Sequence, residues 1–138
     1  MASHVPVIIG VGEFKNASRR MEDALETLDL MVRAIKEAAD DAAGGQSAGI
    51  LGQVDAVSVV ASSTWPYTDL PGLVAGKLGI KPSHSAYSEL AGSSPVELVD
   101  DTARLVAQGS IKLGVVVGGE AKASRTKLHD DILPEPLY

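Results

Sequence analysis

Apolar residues along the chain form short runs that are separated by longer amphipathic stretches. The runs are rich in valine and isoleucine and end at glycine or serine, a pattern typical of strands buried on both faces of a sheet. Three strong runs cover Val5–Val11, Val54–Ser62 and Lys112–Gly119, and a weaker run covers His84–Leu90. The sequence therefore predicts four strands.

Two of the amphipathic stretches predict helices that end at glycine. The first begins at Glu22 or Thr27 and continues to Ala43, with apolar residues at alternating spacings of three and four. The second covers Leu70–Leu78. The glycines that stop these helices are Gly44, Gly45 and Gly79.

The third helix has the clearest start signal in the chain. Ser94 is the expected N-cap, Pro95 is expected at the first helical position, and Glu97 would complete a capping box. Gly109 is the expected stop. The small residues of Gln46–Gln53 predict only a linker.

Strands and helices alternate in the order β-α-β-α-β-α-β. This order predicts an α/β domain with a mainly parallel sheet of four or five strands and helices on both faces. A chain of 138 residues fits one such domain. We expect residues 1–121 to form it, and residues 122–138 to be the start of a loop region or an irregular C-terminal tail.

Charge and composition narrow the classes of partner. Twelve basic and 18 acidic residues give a net charge of -6, which argues against nucleic acid and anionic membranes as partners. No apolar run approaches the roughly 18 to 20 residues that a membrane span needs, and the N-terminus lacks the basic and apolar regions of a signal peptide. We expect a cytoplasmic protein, with a peroxisomal location still open if the chain is truncated.

The chain contains no cysteine, which removes disulfides, thiolate metal sites and thiol nucleophiles. Its histidines, His4, His84 and His129, show no metal-ligand spacing, so we expect no metal. Gly10 and Gly12 resemble the start of a nucleotide-binding loop only weakly, because Lys15 occupies the place of its third glycine.

Two loops are candidates for ligand contact. Trp65 and Tyr67 follow a predicted strand, where they either contact a ligand or cover the edge of the core. The small residues of Ala91–Pro95 let a ligand approach the backbone, and amide groups at a helix start stabilise an anion or oxyanion. An ordinary capped helix has the same pattern, so the sequence does not decide between an anion-binding turn and a purely structural helix start.

Several of these segments together resemble a known family. PVIIGVG, VDAVSVV, the turn AGSSP before a helix, and LGVVVGGEA look like the N-terminal half of the thiolase superfamily, in particular its acetyl-CoA acetyltransferase branch. The resemblance covers nearly the whole chain. It implies a transferase of lipid metabolism that uses a coenzyme A thioester as substrate, with no covalently bound cofactor.

The resemblance also implies where the site lies and what it lacks. The reactive cysteine of thiolases would align near Gly92, within one residue, and this chain has none there. The covalent acyl-enzyme step therefore has no thiolate on this chain. We expect Gly92, Ser93 and Ser94 to line the pocket with their amides facing the thioester oxygen. No local base activates a serine, so an N-cap role for Ser94 is favoured over a nucleophilic one.

The resemblance further predicts partners. We expect a homodimer or tetramer formed through the strand His84–Leu90. Thiolases carry their acid-base histidine in a C-terminal half, so a chain supplying that half, or a small partner with a zinc ribbon and an OB-fold, would complete the site. The alternative function is a non-catalytic thiolase-like subunit or scaffold.

Overall fold

The computed structural model describes residues 3–18, 20–65, 67–122 and 126. A 3-10 turn at Met21–Asp23 precedes four helices, α1 (Thr27–Ala43), α2 (Ser47–Leu51), α3 (Leu70–Leu78) and α4 (Ser94–Ala107). The strands are β1 (Ala56–Val59), β2 (His84–Tyr87) and β3 (Gly114–Val117). The predicted α/β class is confirmed.

The described strands form one parallel sheet in the order β2-β1-β3. Ala56 of β1 is level with His84 on one side and Gly114 on the other, and Val59 is level with Tyr87 and Val117. The expectation of a parallel sheet is correct. The expected count of four or five strands is wrong for the part of the chain that the structure describes, since the sheet there has three.

The missing strand is the predicted first one, Val5–Val11, which lies outside the sheet. Among the described residues the sheet has the order β2-β1-β3, and the segment does not extend either of its outer edges. The segment instead crosses α1, where the Val11 amide donates to Asp41 Oδ2 over 2.9 Å. Gly10 and Gly12 approach α1 so closely that a Cβ on either would collide with the Ala38 backbone. These glycines therefore allow the segment to pack closely against α1.

Helices cover both faces of the sheet, as predicted. Side chains alternate between faces along a strand, and the fully buried Val57 and Val59 of β1 belong to the main core. That core contains Met31 of α1 and Leu70 of α3. On the opposite face, Ser58 Oγ lies 3.4 Å from Thr102 Oγ1 of α4.

The predicted C-terminal ends of α1 and α3 are confirmed, and each is followed by a glycine. Gly44 after α1 and Gly79 after α3 have φ values of 60° and 69°, the left-handed conformation that other residues rarely adopt. The linker expected over Gln46–Gln53 is instead partly helical, because α2 forms there and Leu51 packs against the core.

The predicted loop or tail over residues 122–138 lies outside the described residues, apart from Lys122 and Thr126. Among the helices in the described ranges, none has both the length and the apolar character needed to cross a membrane.

Candidate functional site

The carboxyl end of the sheet gathers strand ends and helix starts. Val59 and Val117 end neighbouring parallel strands, so the segments that follow them lie side by side. The start of α1 lies at the same end, since Thr27 Oγ1 is 3.4 Å from Thr64 Oγ1 just beyond β1. Helix N-termini carry partial positive charge, and ligands of parallel α/β sheets bind at this end.

A cleft of about 400 Å³ opens at this end, between the strand ends and the first turns of α4. We call it the carboxyl-end cleft. Its walls are apolar except for one carboxylate at the margin. The lining residues are Val60, Ala61, Pro95, Val99, Val116, Val117, Gly118, Gly119 and Glu120.

The carboxylate of Glu120 joins the segment after β3 to the segment after β1. Its Oε1 accepts from the Ser63 amide at 2.8 Å and from Ser63 Oγ at 3.0 Å. Its Oε2 accepts from Ser62 Oγ at 3.0 Å, the Thr64 amide at 3.0 Å and Thr64 Oγ1 at 2.5 Å. We call these four residues the Glu120 cluster.

The Glu120 cluster continues into the protein through hydroxyl groups. Thr64 Oγ1 also accepts from the Ala121 amide at 2.9 Å. Ser62 Oγ lies 3.4 Å from Thr27 Oγ1, and both threonines are buried. The start of α1 is therefore tied to the same cluster as the two strand ends.

Hydrogen bonding lowers the pKa of the Glu120 carboxyl group. Partial burial by itself raises the pKa of this carboxyl group, but donation from the Ser63 amide and from the hydroxyls of Thr64, Ser62 and Ser63 outweighs burial. The net result is a pKa below the ordinary value of 4.5.

Sequence reasoning missed the Glu120 cluster. Glu120 appeared only within the motif LGVVVGGEA, and Ser62 only as the end of a strand. The available signal was that both positions directly follow predicted strands. The strand order that makes those strands neighbours was not contained in the pattern.

The predicted residues Gly92, Ser93 and Ser94 lie in the turn before α4 and its first position. Ser94 Oγ donates to the Glu89 carbonyl at 2.7 Å, and the Ser94 amide donates to the Ala91 carbonyl at 3.1 Å. The buried Ser94 is therefore engaged in local structure. A Cβ at Gly92 would meet open space.

The N-cap prediction for Ser94 is wrong by one position. In the structure, Ser93 occupies the N-cap and Ser94 is the first residue of α4. The Ser93 side chain makes no capping bond, so the capping box with Glu97 does not form. The reason is the bond from Ser94 Oγ to Glu89, which directs the hydroxyl away from the first helical amides.

The predicted loop and the cleft are neighbours in the chain. Pro95 lines the cleft and directly follows Ser94, whereas Gly92, Ser93 and Ser94 are not among the described lining residues. Because the Ser94 amide is already bonded, the amides of Gly92 and Ser93 are the remaining candidates for contact with a thioester oxygen. Their role stays a prediction.

Of the two aromatic residues in the loop after β1, Tyr67 packs against the core. Tyr67 Oη accepts from the Leu28 amide at 3.0 Å, and the ring packs against the core cluster. Burial raises the pKa of Tyr67 above its ordinary value of 10.0, and the Glu26 carboxylate adds to this. For Tyr67 these contacts favour the core-covering reading, while Trp65 is half-buried.

The amino end of the sheet has a cavity and a carboxylate of its own. Asp55 Oδ2 accepts from the Lys112 amide at 2.7 Å and from the Leu113 amide at 3.3 Å, which ties β1 to β3. The cavity next to it measures about 690 Å³ and is lined by Asp55, Lys112, Leu113 and residues of α2 among others. We call it the amino-end cleft. Within the described ranges, no three acidic or histidine residues group as metal ligands do.

Solved structures share this arrangement of strands and helices. A monomeric SCP2-thiolase-like protein type 1 from Mycobacterium smegmatis superposes with a TM-score of 0.68 at 24% identity, over 83% of this chain and 23% of that one. The fold is thiolase-like. No family model and no curated protein matches the sequence.

Xanthomonas campestris OleA has the same thiolase-like fold. Its structure with bound lauric acid and lauroyl-CoA superposes with a TM-score of 0.58 at 21% identity, over 70% of this chain and 28% of that one. A variant bound with cerulenin gives 0.61 at 18% identity, over 80% and 33%. The present chain therefore spans between 23% and 33% of the length of these three structures.

Proposed function

We propose that this chain is the N-terminal portion of a thiolase-like acyltransferase that binds a coenzyme A thioester at the carboxyl end of its sheet. The observation that carries the proposal is the apolar carboxyl-end cleft, which lies beside the start of α4 on a thiolase-like fold. A related fold, that of OleA, has been solved with lauroyl-CoA bound. An apolar cleft of this kind suits the hydrocarbon part of a thioester.

The proposed chemistry avoids a covalent enzyme intermediate. No cysteine is present in the sequence, so a thiolate attack on the thioester has no nucleophile on this chain. Acyl transfer directly between bound reactants, or retro-aldol cleavage of a thioester, requires positioning, an oxyanion site and a base. In this proposal the amides of Gly92 and Ser93 form the oxyanion site, and the base comes from another chain or segment.

Calorimetric titration with acetyl-CoA and lauroyl-CoA tests the proposal. We expect saturable binding in the millimolar range or tighter, with lauroyl-CoA binding more tightly because its chain reaches more of the apolar wall. Coenzyme A without an acyl group is the comparison ligand. No detectable binding of either thioester at millimolar concentration would refute the proposal.

A second candidate is a non-catalytic thiolase-like subunit completed by a partner chain. The apolar side chains of Val5, Val7 and Ile8 are each more than 70% exposed, and so is Val96 on α4. Such apolar exposure is characteristic of surfaces that another chain covers. We expect a gene beside this one to encode a thiolase-like C-terminal half or a partner with a zinc ribbon and OB-fold, and co-expression to give a stable complex. Separate elution of the two chains would count against this candidate.

For the oligomer, we propose pairing through the strand segment His84–Leu90. The amides of His84 and Ser88 donate to β1, so by strand alternation the Tyr87 amide points to the open side of β2. The substitution Tyr87→Pro removes that outward donor without removing a bond to β1. Light scattering should then show monomers where the wild type shows dimers or tetramers, and an unchanged mass would contradict pairing through this strand.

A further inference from the structure

The carboxylate of Glu120 has the full set of partners that its two oxygens can hold. Five donors reach it, two from amides and three from hydroxyls, at 2.5 to 3.0 Å. A carboxylate has about four lone-pair sites, so little acceptor capacity is left for a ligand or for a transferred proton. This arrangement suits a group that holds structure in place.

The structure that Glu120 holds is one margin of the carboxyl-end cleft. Ala61, Gly119 and Glu120 line the cleft, and the donors Ser62, Ser63 and Thr64 directly follow Ala61. Gly119 lies close to the core, since a Cβ there would be 3.2 Å from Met31 Cγ. The segment after β3 is therefore fixed on its inner side by the core and on its outer side by the Glu120 cluster.

We infer that Glu120 is a positioning residue, which holds the segment Ser62–Thr64 against the segment after β3 and so sets the shape of the cleft for an acyl-CoA thioester. The inference rests on the proposed function for its ligand. Its structural part, the immobilisation of Ser62–Thr64, is testable without any ligand.

The first test is amide hydrogen exchange in Glu120→Gln. Glutamine has the same shape but offers one acceptor oxygen and an NH₂ donor. The donors that face the NH₂ group therefore lose their acceptor. We expect the amides of Ser63 and Thr64 to exchange at least about tenfold faster, while those of Val57 and Val59 keep their wild-type rates. Wild-type exchange rates at Ser63 and Thr64 would overturn the inference.

The second test separates positioning from loss of stability. With acetyl-CoA as the probe, we expect Glu120→Gln to raise the Kd several-fold at a temperature where the protein is fully folded. Ile35→Val is the matched control, because Ile35 is buried in the core and does not line the cleft, so the variant lowers stability and should leave the Kd unchanged. Equal Kd shifts in the two variants would overturn a positioning role.

A milder variant covers the case in which Glu120→Gln does not fold. Ser63→Ala removes one hydroxyl donor but keeps the amide bond to Glu120, and it should raise the exchange rate of the Thr64 amide by a smaller factor. Glu97→Gln changes an exposed carboxylate on α4 and serves as the control for charge. Failure of the wild type to bind acetyl-CoA would refute the proposed function, and the exchange rates would still decide the role of Glu120.

Discussion

At each end of the sheet a carboxylate joins the segments of two neighbouring strands, but the two ends differ in electrostatic character. At the amino end, Asp55 accepts two amides from the segment before β3, and at the carboxyl end Glu120 accepts amides and hydroxyls from the segment after β1. The amino-end cleft is the larger, at about 690 Å³ against about 400 Å³. Volume alone would therefore favour the amino end as a ligand site.

Helix direction distinguishes the two ends. Helices that connect parallel strands run back across the sheet, so their N-termini collect at the carboxyl end and their C-termini at the amino end. Thr27 at the start of α1 and Pro95 in the first turn of α4 are both at the carboxyl end, whereas Ala43 at the end of α1 lines the amino-end cleft. An anionic ligand such as a coenzyme A thioester is therefore expected at the smaller cleft.

Filling each cleft should give the largest difference between the ends. Val99→Trp places a ring in the carboxyl-end cleft, and we expect it to weaken acetyl-CoA binding by about tenfold or more, or about 1.4 kcal/mol. Gly49→Leu is the matched control, because Gly49 lines the amino-end cleft and a Cβ there meets open space, and we expect it to leave acetyl-CoA binding unchanged. Calorimetry measures both, and a loss of binding only in Gly49→Leu would reverse the assignment.

The two carboxylates should contribute similarly to stability but differently to binding. Asp55→Asn replaces an acceptor of two amides, and we expect it to lower the free energy of unfolding by about 1 kcal/mol in urea titration. It should leave the Kd for acetyl-CoA unchanged, in contrast to Glu120→Gln. The exposed Glu37→Gln on α1 is the control, expected to change stability by less than about 0.5 kcal/mol.

Stability should depend on pH through the carboxyl end in a defined direction. The folded-state pKa of Glu120 is lower than its ordinary value of 4.5, so the stabilisation is fully present above that value and is lost as the pH falls through the folded pKa. Urea unfolding of wild type and Glu120→Gln at a series of pH values measures this. The stability difference between them should shrink below pH 4.5, and a difference that grows on acidification would contradict the account.

The smallest effect on the free energy of unfolding is expected in the segment Val5–Val11, which lies outside the sheet. Ile8 is 79% exposed, so Ile8→Ser should change the free energy of unfolding by less than about 0.5 kcal/mol in the isolated chain. Urea titration measures this change. A loss of 2 kcal/mol or more, the range for a buried aliphatic residue, would mean that the segment is a buried strand after all.

That segment also shows where sequence reasoning reaches its limit. The runs around Ile8 and Val115 have the same apolar, glycine-flanked pattern, yet only the second forms a strand. Pattern reports the tendency of a segment to be buried in a sheet. It does not report which segments become neighbours in the sheet, because that depends on residues distant in sequence.

Helices were predicted more accurately because their signals are local. The start of α4, predicted within one residue, and the left-handed glycines after α1 and α3 follow from residues within one or two turns. The Glu120 cluster joins residues 56 to 58 positions apart, so its assembly depends on strand order. The sequence identified the turn Gly92–Ser94 beside the cleft but not the carboxylate across from it.

Chemical-shift mapping of the amide groups during titration with acetyl-CoA tests the central claim most directly. The account predicts saturable shifts at residues 60–64, 92–99 and 116–121, around the carboxyl-end cleft, with residues 46–55 and 112–113 at the amino end unchanged. Shifts confined to the amino end, or no shifts at millimolar ligand, would contradict it.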